Sequence, residues 1–105
     1  MDDVLILLQT VKTKDSRGAA RKNFKRRQVF CQVRSVNKTE FFEAGRNGLN
    51  PEFRFLVFAG DYKGESSCEY KGDTFAIYRT YRTPADYMEL YVERQGGTNG
   101  EDAQS

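Results

Sequence analysis

Alternation of apolar and polar side chains runs through most of this chain and predicts a mainly β protein. Residues 4–13 set Val4, Ile6 and Leu8 against Leu5, Leu7 and Gln9, the pattern of a first strand. Residues 14–23 carry turn chemistry at Asp15-Ser16-Arg17-Gly18 and no large apolar side chain, and they read as a loop. Residues 24–36 alternate again, Val29, Cys31 and Val33 against Phe30, Gln32 and Arg34, which places Cys31 in the core as a small residue. Residues 53–59 are apolar on both faces, as in a central strand. Two shorter strands, 67–70 and 74–81, flank the hairpin connection Lys71-Gly72-Asp73. Arg82-Thr83-Pro84-Ala85 then turns the chain into residues 86–94, with Met88, Leu90 and Val92 inward and Tyr87, Glu89, Tyr91 and Glu93 outward.

Between the second and third strands the period changes. Asn37-Lys38-Thr39-Glu40 has the form of a capping box, predicting a short helix from Lys38 to about Ala44 that Gly45 or Gly48 ends. Asn47, Gly48, Asn50 and Pro51 continue as an extended connection. An insertion this long between two strands of a small β domain usually carries function or mobility. Phe41 and Phe42 lie ~100° apart on a helix, too far for both to face one narrow groove. Either one packs on its own barrel and the other on a neighbour, or both stay in the core. The expected architecture is a small antiparallel β-barrel or sandwich of about six strands, with one short helix in a long inter-strand loop. It forms a single domain over residues 1–94, followed by a flexible polar tail over 95–105.

Composition narrows the function classes. A chain of 105 residues hides roughly 65% of its unfolded surface, enough for one modest core. Apolar residues make up 38% and mean hydropathy is −0.75, yet eight Phe and six Tyr argue against disorder. The longest apolar runs, 4–8 and 55–59, fall far short of the ~20 residues of a membrane span. Asp2 and Asp3, rather than basic residues, precede the first run, so the expectation is a soluble, unexported protein. The chain has no His, which excludes Ser-His and Cys-His couples and His-ligated zinc. Cys31 and Cys68 form no CxxC and read as buried free thiols, able to pair only from neighbouring strands. Phosphate-loop, dinucleotide and nucleophile-elbow motifs are missing, and no carboxylate pair has a recommending spacing. The expectation is a protein that is not an enzyme and has no catalytic residue, metal or cofactor.

Charge adds one positive feature. Net charge is +2, but residues 12–27 hold eight cations against Asp15 alone, a local +7 that leaves −5 for the rest. A basic loop on an acidic body points to an electrostatic partner, either a phosphate backbone or an acidic protein surface. Arg17, Arg21, Lys22, Lys25, Arg26 and Arg27 are the candidate docking residues. Phe24 is the one aromatic among them, while Tyr87 and Tyr91 elsewhere could stack bases. The bland alternative is a solvated hairpin loop.

Several segments together resemble one family. They are the opening strand and turn-rich hairpin, Val29-Phe30-Cys31-Gln32-Val33-Arg34-Ser35-Val36, Thr39-Glu40-Phe41-Phe42-Glu43-Ala44, and Leu49-Asn50-Pro51-Glu52-Phe53. They continue with Asp61-Tyr62-Lys63-Gly64-Glu65, Glu69-Tyr70-Lys71-Gly72, Tyr78-Arg79-Thr80-Tyr81 and the closing strand. In order and spacing this resembles the head–tail joining, or head-closure (stopper), proteins of tailed bacteriophages. The resemblance implies a small barrel that joins a ring, commonly twelvefold, beneath the portal and adaptor rings. The ring closes the DNA channel after packaging and offers the tail its docking surface. It would sit at the head–tail interface of the virion, after assembly in the bacterial cytoplasm, in contact with portal, adaptor and tail proteins, with no membrane partner. The long loop would face the channel and packaged DNA, making Thr39, Glu40, Phe41, Phe42, Glu43, Gly45, Arg46, Asn47 and Gly48 the gating candidates. The basic loop is no fixed family feature; we expect it to dock on an acidic neighbouring ring. The alternative is a barrel of OB-like or SH3-like form binding nucleic acid through Lys22, Lys25, Arg26 and Arg27.

Overall fold

The alternating segments form six antiparallel strands: β1 (Asp3–Lys14), β2 (Ala20–Arg34), β3 (Pro51–Phe58), β4 (Ser67–Tyr70), β5 (Asp73–Arg82) and β6 (Tyr87–Arg94). One helix, α1 (Lys38–Arg46), joins β2 to β3. The computed structural model describes residues 2–14 and 16–95; the expected tail beyond Gln95 lies outside them. Neighbouring strands run β1-β2-β3-β6-β5-β4 and back to β1, a closed barrel. Among the described residues no helix is long and apolar enough to cross a membrane.

Inward positions supply the core: Leu5 and Leu7 from β1, Val29 and Cys31 from β2, Phe55 and Val57 from β3, Cys68 from β4, Phe75 from β5, and Leu90 and Val92 from β6. Burying a side chain such as Leu or Phe contributes about 1.5–3 kcal/mol. One end of the barrel is aromatic, with Phe53 packed 5.0 Å from Phe55 and 5.1 Å from Phe75 between ring centroids. Because β1 stands between β2 and β4, Cys31 and Cys68 lie on strands that are not neighbours, and both are free, buried thiols. Burial pushes Cys31 up to about 11 and Cys68 up to about 12, so both behave as small hydrophobes.

Two expectations need correction. Half of the predicted loop over 14–23 is strand, residue 14 and residues 20–23, since the ladder pairs Lys12 with Lys22, Thr13 with Arg21 and Lys14 with Ala20. Gly18, at φ +82°, sits in the short turn that remains. Residues 20–23 lack apolar alternation because they lie beyond the core, where the β1 ladder and an Asn23 side-chain bond to the Thr13 hydroxyl at 3.0 Å hold the strand. Helix α1 runs to Arg46, so Gly45 is helical and Gly48 ends it. Gly48, at φ +78°, donates to the Gly45 carbonyl while Leu49 donates to that of Ala44, which is a Schellman closure. At the other end the Asn37 side chain accepts from the Glu40 amide at 2.8 Å. Glu40 does not complete the expected box, because its carboxylate is engaged on β5.

The two faces of a strand should differ sharply in mutational cost. Phe55→Ala, in the core, should destabilise by about 3–5 kcal/mol in urea unfolding. Phe30→Ala, at a side chain 61% exposed, should cost less than about 0.5 kcal/mol. Similar costs for the two would contradict this register.

Candidate functional site

Helix α1 lies on the outer wall of the barrel, held mainly by polar contacts. A β-bulge in β5 between Ile77 and Arg79 breaks the alternation. Tyr78 and Arg79, adjacent in sequence, therefore both reach Glu40: the tyrosine hydroxyl donates at 3.0 Å and the guanidinium at 2.5 Å. Burial, then the hydrogen bond to Glu40, pushes the Tyr78 hydroxyl well above the usual tyrosine range. The Arg79 guanidinium also stacks 4.1 Å from the Tyr91 ring centroid. Tyr91 donates to Glu89 at 2.7 Å, and Arg54 reaches Glu89 at 3.1 Å. Tyr91 points outward in register, as expected, but these groups bury it, so it offers no face for stacking a base. Tyr87 is likewise engaged, stacked on Phe58 with centroids 5.1 Å apart. The Asn50 amide donates to Glu93 at 2.9 Å, fixing the exit from the helix.

The gating candidates thus form one capped helix and its C-terminal turn. Of them, Glu40 is the anchor, while Thr39, Glu43, Gly45, Arg46, Asn47 and Gly48 are exposed. The segment folds back onto its own barrel through Glu40, Ala44 and Leu49. An open groove of about 460 Å³ runs between Glu43 and Ala44 on one side and Tyr78 and Arg79 on the other. Phe41 and Phe42 depart from both expectations: neither enters the core, and they are 49% and 57% exposed. They meet edge to face with centroids 5.8 Å apart. Phe24, Phe30 and Phe58 are also exposed. Large side chains left in water on rigid elements are what an interaction surface needs.

The basic docking candidates divide into two groups. Arg26 and Arg27 are pinned at the rim of the barrel, Arg26 to Glu69 at 2.6 Å and Arg27 to Glu65 at 2.5 Å. Glu65 is buried, and it accepts the Lys63 amide at 2.8 Å as well as the Arg27 guanidinium. Burial alone would raise its pKa, but the Lys63 and Arg27 hydrogen bonds outweigh that and hold the carboxyl below its ordinary value. Arg17 lies in the turn, while Arg21, Lys22 and Lys25 lie on β2 beyond the rim. The body is less bare an acid than its charge implied: Arg54, Arg79, Arg82 and Arg94 pair with Glu89, Glu40, Asp86 and both Glu52 and Asp73. Sequence reasoning missed this role for Tyr78, Arg79 and Glu65. Tyr78-Arg79 did stand among the segments carrying the family resemblance.

Two measurements test these contacts. Glu40→Ala should leave the barrel folded but speed hydrogen exchange over residues 41–48 by at least about tenfold, since a hydrogen bond to a charged group contributes ~1.5–3 kcal/mol. Unchanged exchange would mean that Glu40 does not hold the helix. Glu65→Gln should lower stability by roughly 1–3 kcal/mol at pH 7. Because the folded carboxyl lies below its unfolded value, that contribution is complete above the unfolded pKa. It fades as pH falls through the folded pKa, so the gap between wild type and variant should narrow below about pH 4.3. A gap independent of pH would exclude the ionised form as its source.

No protein-family model matches the chain, and no curated protein matches it. Among solved structures it is similar to the solution structure of protein SF1141 from Shigella flexneri 2a. The TM-score is 0.73 at 13% identity, over 91% of this chain and 94% of that one. At that identity the likeness is one of fold.

Proposed function

We propose that this chain is a structural virion protein of the phage head–tail connector, forming a ring beneath the portal or adaptor. The ring closes the DNA channel after packaging and serves as the platform on which the tail docks. The observation that carries this reading is the Phe41–Phe42 pair, two large apolar side chains presented to solvent by a capped helix clamped to the barrel. The isolated subunit gains little from holding them there, whereas a neighbouring subunit or ring would bury them. The order and spacing of the family-like segments support the same reading, and a small closed barrel is the architecture they imply. On a portal–adaptor ring, commonly twelvefold, each subunit meets its neighbours at high effective concentration, so weak lateral contacts suffice. As a gate, α1 would move as a capped unit once Glu40 leaves Tyr78 and Arg79.

Purified heads carrying portal and adaptor provide the test. The chain alone should sediment as a monomer at micromolar concentration, bind such heads, and increase the DNA they retain. Phe41→Ser with Phe42→Ser should leave the barrel folded, because neither side chain enters the core, yet bind heads at least about tenfold more weakly. Wild-type attachment by that variant would remove the helix from the docking surface, and no attachment by the wild type would overturn the connector reading.

A further inference from the structure

Strands β1 and β2 outrun the barrel. The last pair joining β1 to β4 is Leu8 with Ser67, and β2 meets β3 only from Gln32 upward. Beyond those points residues 9–14 and 20–25 pair only with each other, as a two-stranded ribbon of roughly 20 Å. Between Gln9 and Lys25 lie six cations against Asp15, a net +5. The register sets Lys12 opposite Lys22 and Lys14 opposite Ala20, so the ladder places no carboxylate residue across from either lysine.

We propose that this ribbon binds the phosphate backbone of duplex DNA without sequence preference. Lys12, Lys14 and Lys25 are exposed and have no ion-pair partner among the described residues. Arg26, Arg27, Arg54, Arg79, Arg82 and Arg94, by contrast, are engaged with carboxylates. That same pairing makes a second copy of this chain a poor acidic partner, because Glu40, Glu52, Glu65, Glu69, Asp73, Asp86 and Glu89 are already in use. The choice between a phosphate backbone and a foreign acidic protein follows from shape and residue type. Strand alternation puts Lys12 and Lys14 in one row of the ribbon and Lys25 in the other, so both faces are charged. A protein interface uses one face and is depleted in lysine at its centre. A B-DNA major groove, about 12 Å wide, admits a two-stranded ribbon and lines both its sides with phosphates. Phe24, 56% exposed and paired with Thr10 at the foot of the ribbon, adds an apolar contact for sugar or base edges. Lysines act as point charges toward phosphate rather than as bidentate base readers, hence the absence of sequence preference.

The experiment is fluorescence anisotropy of the full chain with two labelled 20-base-pair duplexes of unrelated sequence, between 50 and 200 mM salt. The wild type should bind both equally, with log K falling linearly against log salt. Lys12→Gln, Lys14→Gln and Lys25→Gln together should flatten that slope by about 2.7, at about 0.9 per lost phosphate contact. Circular dichroism should show this variant folded, because all three side chains are in water. Lys38→Gln with Lys71→Gln, on the body, should bind as wild type. Poly-glutamate at equal charge should displace the labelled duplex less effectively than unlabelled duplex does. No binding at 50 mM salt, an unchanged slope in the ribbon variant, or displacement by poly-glutamate as effective as by unlabelled duplex would each overturn the proposal; the last would reassign the ribbon to an acidic protein. The inference stands on the ribbon and the connector reading on α1, so head attachment and duplex binding succeed or fail separately.

Discussion

Closure of the sheet through two narrow seams governs this structure. Residues 32–34 of β2 meet 54–56 of β3, and residues 6–8 of β1 meet 67–69 of β4, three pairs at each seam. A barrel closed this way is only as tall as its shortest pairings, yet β2 has fifteen residues and β1 has twelve. The surplus must leave the barrel together, because the two strands still satisfy each other's backbone. The ribbon is thus a direct consequence of strand lengths. The seam also leaves a gap below Gln32, where β3 has ceased to pair with β2. The chain after β3 fills the barrel's lower end there, with Tyr62 donating to the Glu65 carbonyl and Glu65 taking Arg27. One buried carboxylate and one arginine seal the rim where backbone pairing stops.

What was legible in the sequence follows from what a single strand can encode. Alternation identified the six strands, the inward row of β6 and Cys31 as core, because burial on one face writes itself at period two. Asn37 announced the helix start, since a cap is a local event. Two features were illegible for a physical reason. The outer half of the ribbon has no apolar face to alternate, so pattern could not separate strand from loop over residues 20–23. The bulge at Tyr78 adds one residue to β5 against β6, which shows only once the partner strand is known. The α1 site depends on that bulge, and so the helix was readable while its anchor was not.

The clamp under α1 is costly for the amount of helix it holds. Arg54 gives one nitrogen to Glu89 and to the Tyr91 hydroxyl, but its Nε is buried without a partner. An unsatisfied buried donor costs roughly 1–3 kcal/mol. An apolar patch on β5 and β6 would have seated an ordinary amphipathic helix with no such loss. The polar arrangement fixes orientation instead: with Glu40 tied to two residues and Ala44 turned to the barrel, Phe41 and Phe42 must face outward. Stability is given up for the presentation of that pair. The same geometry makes the helix releasable as a unit, since one carboxylate carries its main link to β5.

Cations in this protein serve two ends. Six arginines of the body and rim hold carboxylates, and two of them do so while lying on aromatic rings, Arg79 on Tyr91 and Arg94 on Phe75. A planar guanidinium can do both at once; an ammonium is a compact, strongly hydrated charge that does neither as well. Lysines 12, 14 and 25 stand instead on the ribbon, in water and without carboxylates among the described residues. Charges kept free in this way create a long-range field, which screening limits to about 10 Å at 0.1 M salt. A ribbon roughly 20 Å long carries its outermost charges beyond that distance from the barrel. The acidic groups of the body therefore do little to cancel the field at the tip, and a net charge of only +2 conceals a strongly cationic arm.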